Sequence, residues 1–326
     1  MNSRTSSRFM FFISLLYSCM SDHRDLFDCE HPILCLPMNS VSDINLAIAV
    51  SKAGCFPSLV MTRYQRELGK VFLQKEFEDD MSRFITETGS NNMMISVIDR
   101  FVFNNYDRMI KLIEEYKISH IEMISTIDSS GHAALVAAFS KIKSLGTKII
   151  VKTLGTPFES SIDVLFKENI ISASIIKSKL GAGKTSHNRI DTHDFIIYFK
   201  KTYPNLDIIA AGGIATAEDV SRCLELGAKA VGIGTAFALS QESRIESKVK
   251  QQLIQKSSKD IELINTPKFK QNSIIFSKYD GPDNENNSKS LELGVTGSGG
   301  HVFVGHGIDH INEVLPVSEI VNRLTI

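Results

Sequence analysis

The residues best placed for chemistry lie in two glycine-ended apolar runs and one lysine-rich loop. The first run is Asp207-Ile-Ile-Ala-Ala-Gly-Gly-Ile-Ala-Thr-Ala-Glu-Asp-Val, and the second is Ala230-Val-Gly-Ile-Gly-Thr-Ala-Phe. Each reads as a short buried strand that ends in glycine and passes into a helix. Gly212, Gly213 and Gly234 let backbone approach a ligand closely, and Thr235 adds a hydroxyl. Thr216, with Asp219 three residues on, has the spacing of a helix N-cap. Two successive strand-to-helix turns therefore present backbone N–H groups at one sheet end, which suits a phosphate dianion. Glycines serving only tight turns are the alternative.

The loop Lys177-Ser-Lys-Leu-Gly-Ala-Gly-Lys-Thr-Ser-His follows the sixth expected strand. Gly183-Lys184-Thr185 has the look of a nucleotide-binding P-loop, but Ser178 stands where that motif needs its first glycine. The better reading is a glycine-rich active-site loop. Lys184 or His187 would transfer a proton or stabilise charge, since histidine titrates near neutrality and a lysine is a fixed cation unless desolvated. Lys177 and Lys152, each ending an apolar run, would face the same rim; a strand-end salt bridge is the alternative for Lys152.

The elements that must position these groups repeat along the chain. Apolar runs at 33–36, 56–61, 93–98, 118–124, 148–151, 171–176, 206–211 and 231–234 alternate with amphipathic helical segments. Eight strand–helix units in roughly 200 residues fit a closed (β/α)8 barrel better than an open sheet, and a phosphate site there commonly follows strands seven and eight. Residues 31–240 are assigned to the barrel. Residues 241–326 form a C-terminal extension in which 265–290 reads as an irregular insertion, 294–300 as a flexible glycine loop and 308–324 as holding a docked helix.

The 326-residue chain has net charge −1 and is 43% hydrophobic. That balance gives no reason to expect nucleic acid or an anionic membrane as partner. The five cysteines lack a C-x-x-C spacing and sit in apolar surroundings, which suggests reduced thiols in a cytoplasmic protein. Residues 1–30 read as an extension. Arg4 and Arg8 precede Phe9-Met-Phe-Phe-Ile-Ser-Leu-Leu-Tyr, which has the form of a signal-peptide core, while Met10 and Met20 leave a later start open.

Three ordered segments resemble the nitronate monooxygenase family, also called 2-nitropropane dioxygenase-like, which includes flavin-dependent enoyl-acyl-carrier-protein reductases. They are Pro32-Ile-Leu-Cys-Leu-Pro-Met followed by Leu46-Ala-Ile-Ala-Val-Ser-Lys-Ala-Gly; Ile209-Ala-Ala-Gly-Gly-Ile-Ala through Leu226-Gly-Ala-Lys-Ala-Val-Gly-Ile-Gly-Thr-Ala-Phe; and Gly305-His-Gly-Ile-Asp-His-Ile with Leu315-Pro-Val-Ser-Glu-Ile-Val. The resemblance implies an FMN-dependent oxidoreductase that oxidises a small, nitronate-like molecule with reoxidation by oxygen, and with NAD(P)H as another candidate co-substrate. It implies that Pro37, Met38 and Asn39 lie beside the flavin ring, with Ser96 matching a polar family position. Ala211, Gly212, Gly213, Gly234 and Thr235 would hold the phosphate, and Lys152 and Lys177 would lie near the ring or ribityl chain. One departure stands out: the family's Gly-Gly-His is matched by Ala182-Gly183-Lys184. An enoyl reductase-like activity, a flavin-binding protein with reduced catalysis, and a non-flavin phosphate-binding barrel are the alternatives.

Overall fold

A computed structural model describes residues 22–66, 71–98, 102, 104–124, 131–154, 160–185, 190–265, 270–276 and 286–325. The signal-like stretch within residues 1–21 lies outside the described residues, and so does His187.

Eight parallel strands form one sheet: β1 (Ile33–Cys35), β2 (Ser58–Val60), β3 (Met94–Ile98), β4 (His120–Ile124), β5 (Lys148–Thr153), β6 (Ala173–Lys177), β7 (Asp207–Ala211) and β8 (Ala230–Ile233). Each pairs with its sequence neighbour from β2 through β8, and β8 returns to β1, with Ile33, Leu34 and Cys35 in register with Val231, Gly232 and Ile233. A parallel bridge between Leu34 and Phe56 closes the ring between β1 and β2, backed by the Ser58 hydroxyl donating to Cys35 O at 2.6 Å. The (β/α)8 barrel expected from the strand pattern is therefore present.

The strands are mostly apolar because both faces are covered. Along β7, Ile208 and Ala210 pack outward against the helices, while Ile209 and Ala211 point into the barrel. The helices start and stop for local reasons. Asp43 accepts from Leu46 N at 3.0 Å to cap helix Ile44–Lys52. Thr216 and Asp219 form a reciprocal capping box on helix Ala217–Glu225. Helix Gln74–Thr88 ends at Gly89, where φ is +67°.

Two sequence-based boundaries need correction. Residues 22–30 belong to the barrel rather than to an extension. Phe27 and Leu26 are buried among the inward residues Leu34, Phe56, Met94 and Ile150, and close the barrel floor. The Phe27 ring lies 4.4 Å from Phe56 and 5.3 Å from His120. His120 Nε2 donates to Leu26 O at 2.7 Å, and Lys229 Nζ meets Asp25 at 2.9 Å.

The second correction concerns 265–290, which is not wholly irregular. Lys270–Ile275 is a strand, paired antiparallel with Glu262–Asn265 on one side and His301–Phe303 on the other. The same strand also pairs with Gly183–Thr185 from the β6–β7 connection, setting Lys184 opposite Gln271. This small sheet caps the barrel mouth. A helix, Asn286–Val295, then runs through Gly294 before the glycine turn. The cap and the barrel thus share a sheet across the boundary at residue 240, and the closing helix is Val317–Thr325.

Candidate functional site

One cavity opens at the C-terminal end of the strands, beneath the cap sheet. Its wall takes Pro37, Met38 and Asn39 from the β1 turn, Ser96 from β3, Lys152 from β5, Lys177 from β6, Gly212 and Gly213 from the β7 turn, Gly234 and Thr235 from the β8 turn, and Lys184 from the cap. Residues more than 190 positions apart are brought together because parallel strands all end at one rim. Of the described positions singled out from sequence, Ala211 is the exception: it is fully buried inside the barrel, one residue below the cavity wall; His187 lies outside the described residues.

The β1 turn is held open locally. Met38 N donates to Ser42 Oγ at 2.9 Å, Thr62 Oγ1 donates to Asn39 Oδ1 at 3.1 Å, and Ser40 takes a positive φ of +61°. At the β7 turn, Gly212 has φ +108° and Gly213 has φ +76°, a region that favours glycine. A Cβ on Gly212 would lie 2.4 Å from Ser178 Oγ, and one on Gly213 would lie 2.9 Å from Leu180 Cβ. These two glycines therefore let the β6 loop pack onto the turn. Thr192 fastens the contact, donating to Gly212 O at 2.6 Å beside Ser178 Oγ at 2.8 Å. Gly234 is different: a Cβ there would meet nothing closer than 3.9 Å, so the space beside it belongs to the cavity. Among the described residues, the amides of Gly212, Gly213 and Gly234 have no backbone acceptor. All three glycines line the cavity, and backbone amides without an acceptor at such turns suit an anion. Thr235 Oγ1 accepts from Gly305 N at 3.0 Å, tying the C-terminal segment to the same turn.

Three lysines and no carboxylate line the cavity among the described residues. The one nearby acid is Glu122 on β4, fully buried just below. Its Oε1 lies 2.5 Å from Lys152 Nζ, and Ser96 Oγ donates to Oε2. Lys177 Nζ donates to Ala182 O in the loop above. Burial and the Lys152 charge push the Lys177 amine down to about 7 from an ordinary 10.5; Glu122 opposes this, and Lys184 adds to it. Burial, with Lys152, also lowers Lys184. Among the described residues the cysteines are unsuited to nucleophilic chemistry: burial pushes the Cys29 and Cys223 thiols up to about 12.

Sequence reasoning missed Glu122 and Phe303. A glutamate inside the apolar run Ile121-Glu-Met-Ile was the available signal, because an unpaired charge is rarely buried. Phe303 reaches the cavity wall from the cap strand and packs over Gly183, where a Cβ would lie 3.1 Å from its ring. Nothing local in sequence marks it.

The fold and rim define a (β/α)8 barrel whose mouth is lined by three lysines. The nitronate monooxygenase family model matches residues 183–276, which include both glycine turns and the cap strands Gly183–Thr185, Glu262–Asn265 and Lys270–Ile275. FabK from Thermotoga maritima shares the fold with a TM-score of 0.72 at 22% identity, over 92% of this chain and 93% of that one. Nitroalkane oxidase from Streptomyces ansochromogenes gives 0.69 at 16% identity, covering 91% and 95%. The enoyl reductase domain of MlnA from the macrolactin biosynthesis cluster of Bacillus amyloliquefaciens gives 0.66 at 14%, covering 93% and 95%. No curated protein matches by sequence. The protein is a (β/α)8 barrel whose residues 183–276 resemble the nitronate monooxygenase family.

Proposed function

We propose that the protein is an FMN-dependent oxidoreductase acting on a small organic substrate that is anionic or becomes so. The observation that carries this reading is the convergence, on one cavity, of the β1 turn, the unpaired amides of Gly212, Gly213 and Gly234, and three lysines. The family match over residues 183–276 supports it. The residues suit FMN: the two glycine turns would hold the phosphate, Pro37 to Asn39 would flank the ring, and Lys152 would face its polar edge. When bound, the flavin supplies the two-electron redox chemistry. The chain contributes position and charge. The lysines favour an anion in the cavity, and the cap limits access of water to it.

A nitronate with reoxidation by oxygen is the preferred substrate and acceptor. An enoyl thioester with NAD(P)H is the second reading. It is favoured by the apolar upper wall, where Leu291, Val295, Val302 and Phe303 offer an acyl chain a dry surface. Lys184 in place of the family histidine motivates a third reading, binding with little turnover. The test is anaerobic mixing of flavin-loaded protein with nitronates, enoyl thioesters and NAD(P)H in turn. Bleaching of the visible band by one class identifies the electron donor. Bleaching by none of them removes the oxidoreductase reading and leaves a binding protein.

A further inference from the structure

Glu122 is out of character for its strand. It is fully buried on β4, between Ile121 and Met123, and it touches both Ser96 on β3 and Lys152 on β5. Among the described residues, Oε1 has no hydrogen-bond partner besides this ion pair. A buried ion pair is no strong stabiliser against an apolar replacement, so its presence calls for another reason.

The neighbouring amine supplies one. Lys177 lines the cavity and curls beneath the loop 179–183. Gly181 makes room for it, since a Cβ there would lie 2.7 Å from Lys177 Cε. The loop is pinned from the cap by Asn272, whose Nδ2 donates to Lys179 O and Gly181 O at 2.8 Å each. Lys177 Nζ donates to Ala182 O. An amine keeps an N–H for that bond whether or not it carries the extra proton, so the nitrogen stays in place in both states. Among the described residues, the charged groups acting on it are Lys152 on β5, Glu122 on β4 and Lys184 on the cap strand, and the Ser96 hydroxyl on β3 donates to Glu122.

We propose that Lys177 is the proton-exchanging group of the site and that the Glu122–Lys152 pair, held by Ser96, is the positioning device that tunes it. Lys177 Nζ takes a proton from an acidic C–H or O–H of the bound ligand and becomes an ammonium; the electron pair stays on the ligand, whose anion then pairs with Lys152 and Lys184. The identity of that ligand rests on the flavin reading, but the titration of the amine does not. Low folded-state basicity of Lys177, down to about 7, agrees with the geometry.

Competitive acetylation of the purified protein by acetic anhydride across pH, read lysine by lysine by peptide mass spectrometry, tests this. In the native protein, Lys177 should half-titrate near neutrality. Glu122→Gln removes a nearby negative charge and should move that midpoint lower. Lys152→Met removes a positive charge and should move it higher. Each shift should be about one unit or more, a tenfold change in labelling rate at fixed pH. The double variant, lacking both charges, should return close to the native midpoint. A structural role alone would loosen the fold and move both single variants the same way, toward an ordinary lysine. That result, or a native Lys177 that titrates above 9, overturns the proposal. Ser96→Ala gives a milder version of the first shift where Glu122→Gln fails to fold. Added FMN should protect Lys177 from labelling; absent protection with the predicted midpoints would count against the flavin and leave the tuning intact.

Discussion

Substituting alanine at the two glycine turns separates packing from ligand binding. Gly212→Ala must accept φ +108°, a strain of about 1–3 kcal/mol. Its Cβ would lie 2.4 Å from Ser178 Oγ and 3.0 Å from Gly181 N. Moving Ser178 loosens the bonds it makes with Leu180 N at 3.2 Å and Thr192 at 2.8 Å, at about 1 kcal/mol each. The total is roughly 3–5 kcal/mol, which lowers the melting temperature by about 10 °C in a chain of this size. Gly234→Ala meets nothing nearer than 3.9 Å and has no positive φ. Its stability should stay within about 0.5 kcal/mol of the native protein. Its methyl group would occupy the space offered to the phosphate. Losing one charge-assisted hydrogen bond of about 1.5–3 kcal/mol weakens FMN roughly 10- to 100-fold. Thermal melts alongside quenching of flavin fluorescence measure both. A Gly234→Ala protein that melts normally and binds FMN as tightly as the native one would refute the assignment of the phosphate to this turn.

Three further outcomes follow from the same geometry. Burial lowers His120 to about 4 from 6.5. A depressed folded value means the neutral ring is favoured by folding, so its stabilisation is full above 6.5 and is lost as pH falls from 6.5 toward 4; the span is worth about 3 kcal/mol. Denaturant titrations at pH 7.5 and 5 should show about 2 kcal/mol of that loss, and a His120→Asn variant should show less of it. Lys152→Met leaves Glu122 buried without its partner and should cost about 3–5 kcal/mol, most of it recovered by adding Glu122→Gln. Failure of the second substitution to restore stability would mean that the two residues do not form an energetic pair. Phe27→Ala should destabilise by about 3–5 kcal/mol, because the ring fills the barrel floor; a neutral result would put residues 22–30 back outside the folded unit.

The barrel was legible because its strands are buried on both faces and its helices carry capping chemistry. Ile208–Ala211 and Thr216 with Asp219 could be read with no partner in view. The rim residues were legible too, since glycine turns after parallel strands must share an edge. The floor was not. Leu26 and Phe27 stand among Asp, His, Arg and Cys, and nothing in that spacing says they enter a barrel. The cap strand Lys270–Ile275 was hidden for a related reason. Its first four residues are Lys-Gln-Asn-Ser, polar by type, and Gln271, Asn272 and Ser273 are buried because three other strands pair along its edges. Such non-local pairing leaves no periodic trace. Glu122 was visible as an anomaly but not interpretable, because its role depends on Ser96 and Lys152, which lie 26 and 30 positions away along the chain.

Whether the three-lysine cavity with its two glycine turns holds FMN is tested most directly by the visible absorption spectrum of the purified protein, followed by heat release and identification of the chromophore. A flavin band with FMN in the released fraction is the predicted result. A colourless protein that also takes up no added FMN would contradict the claim and make the cavity the phosphate site of a non-flavin barrel.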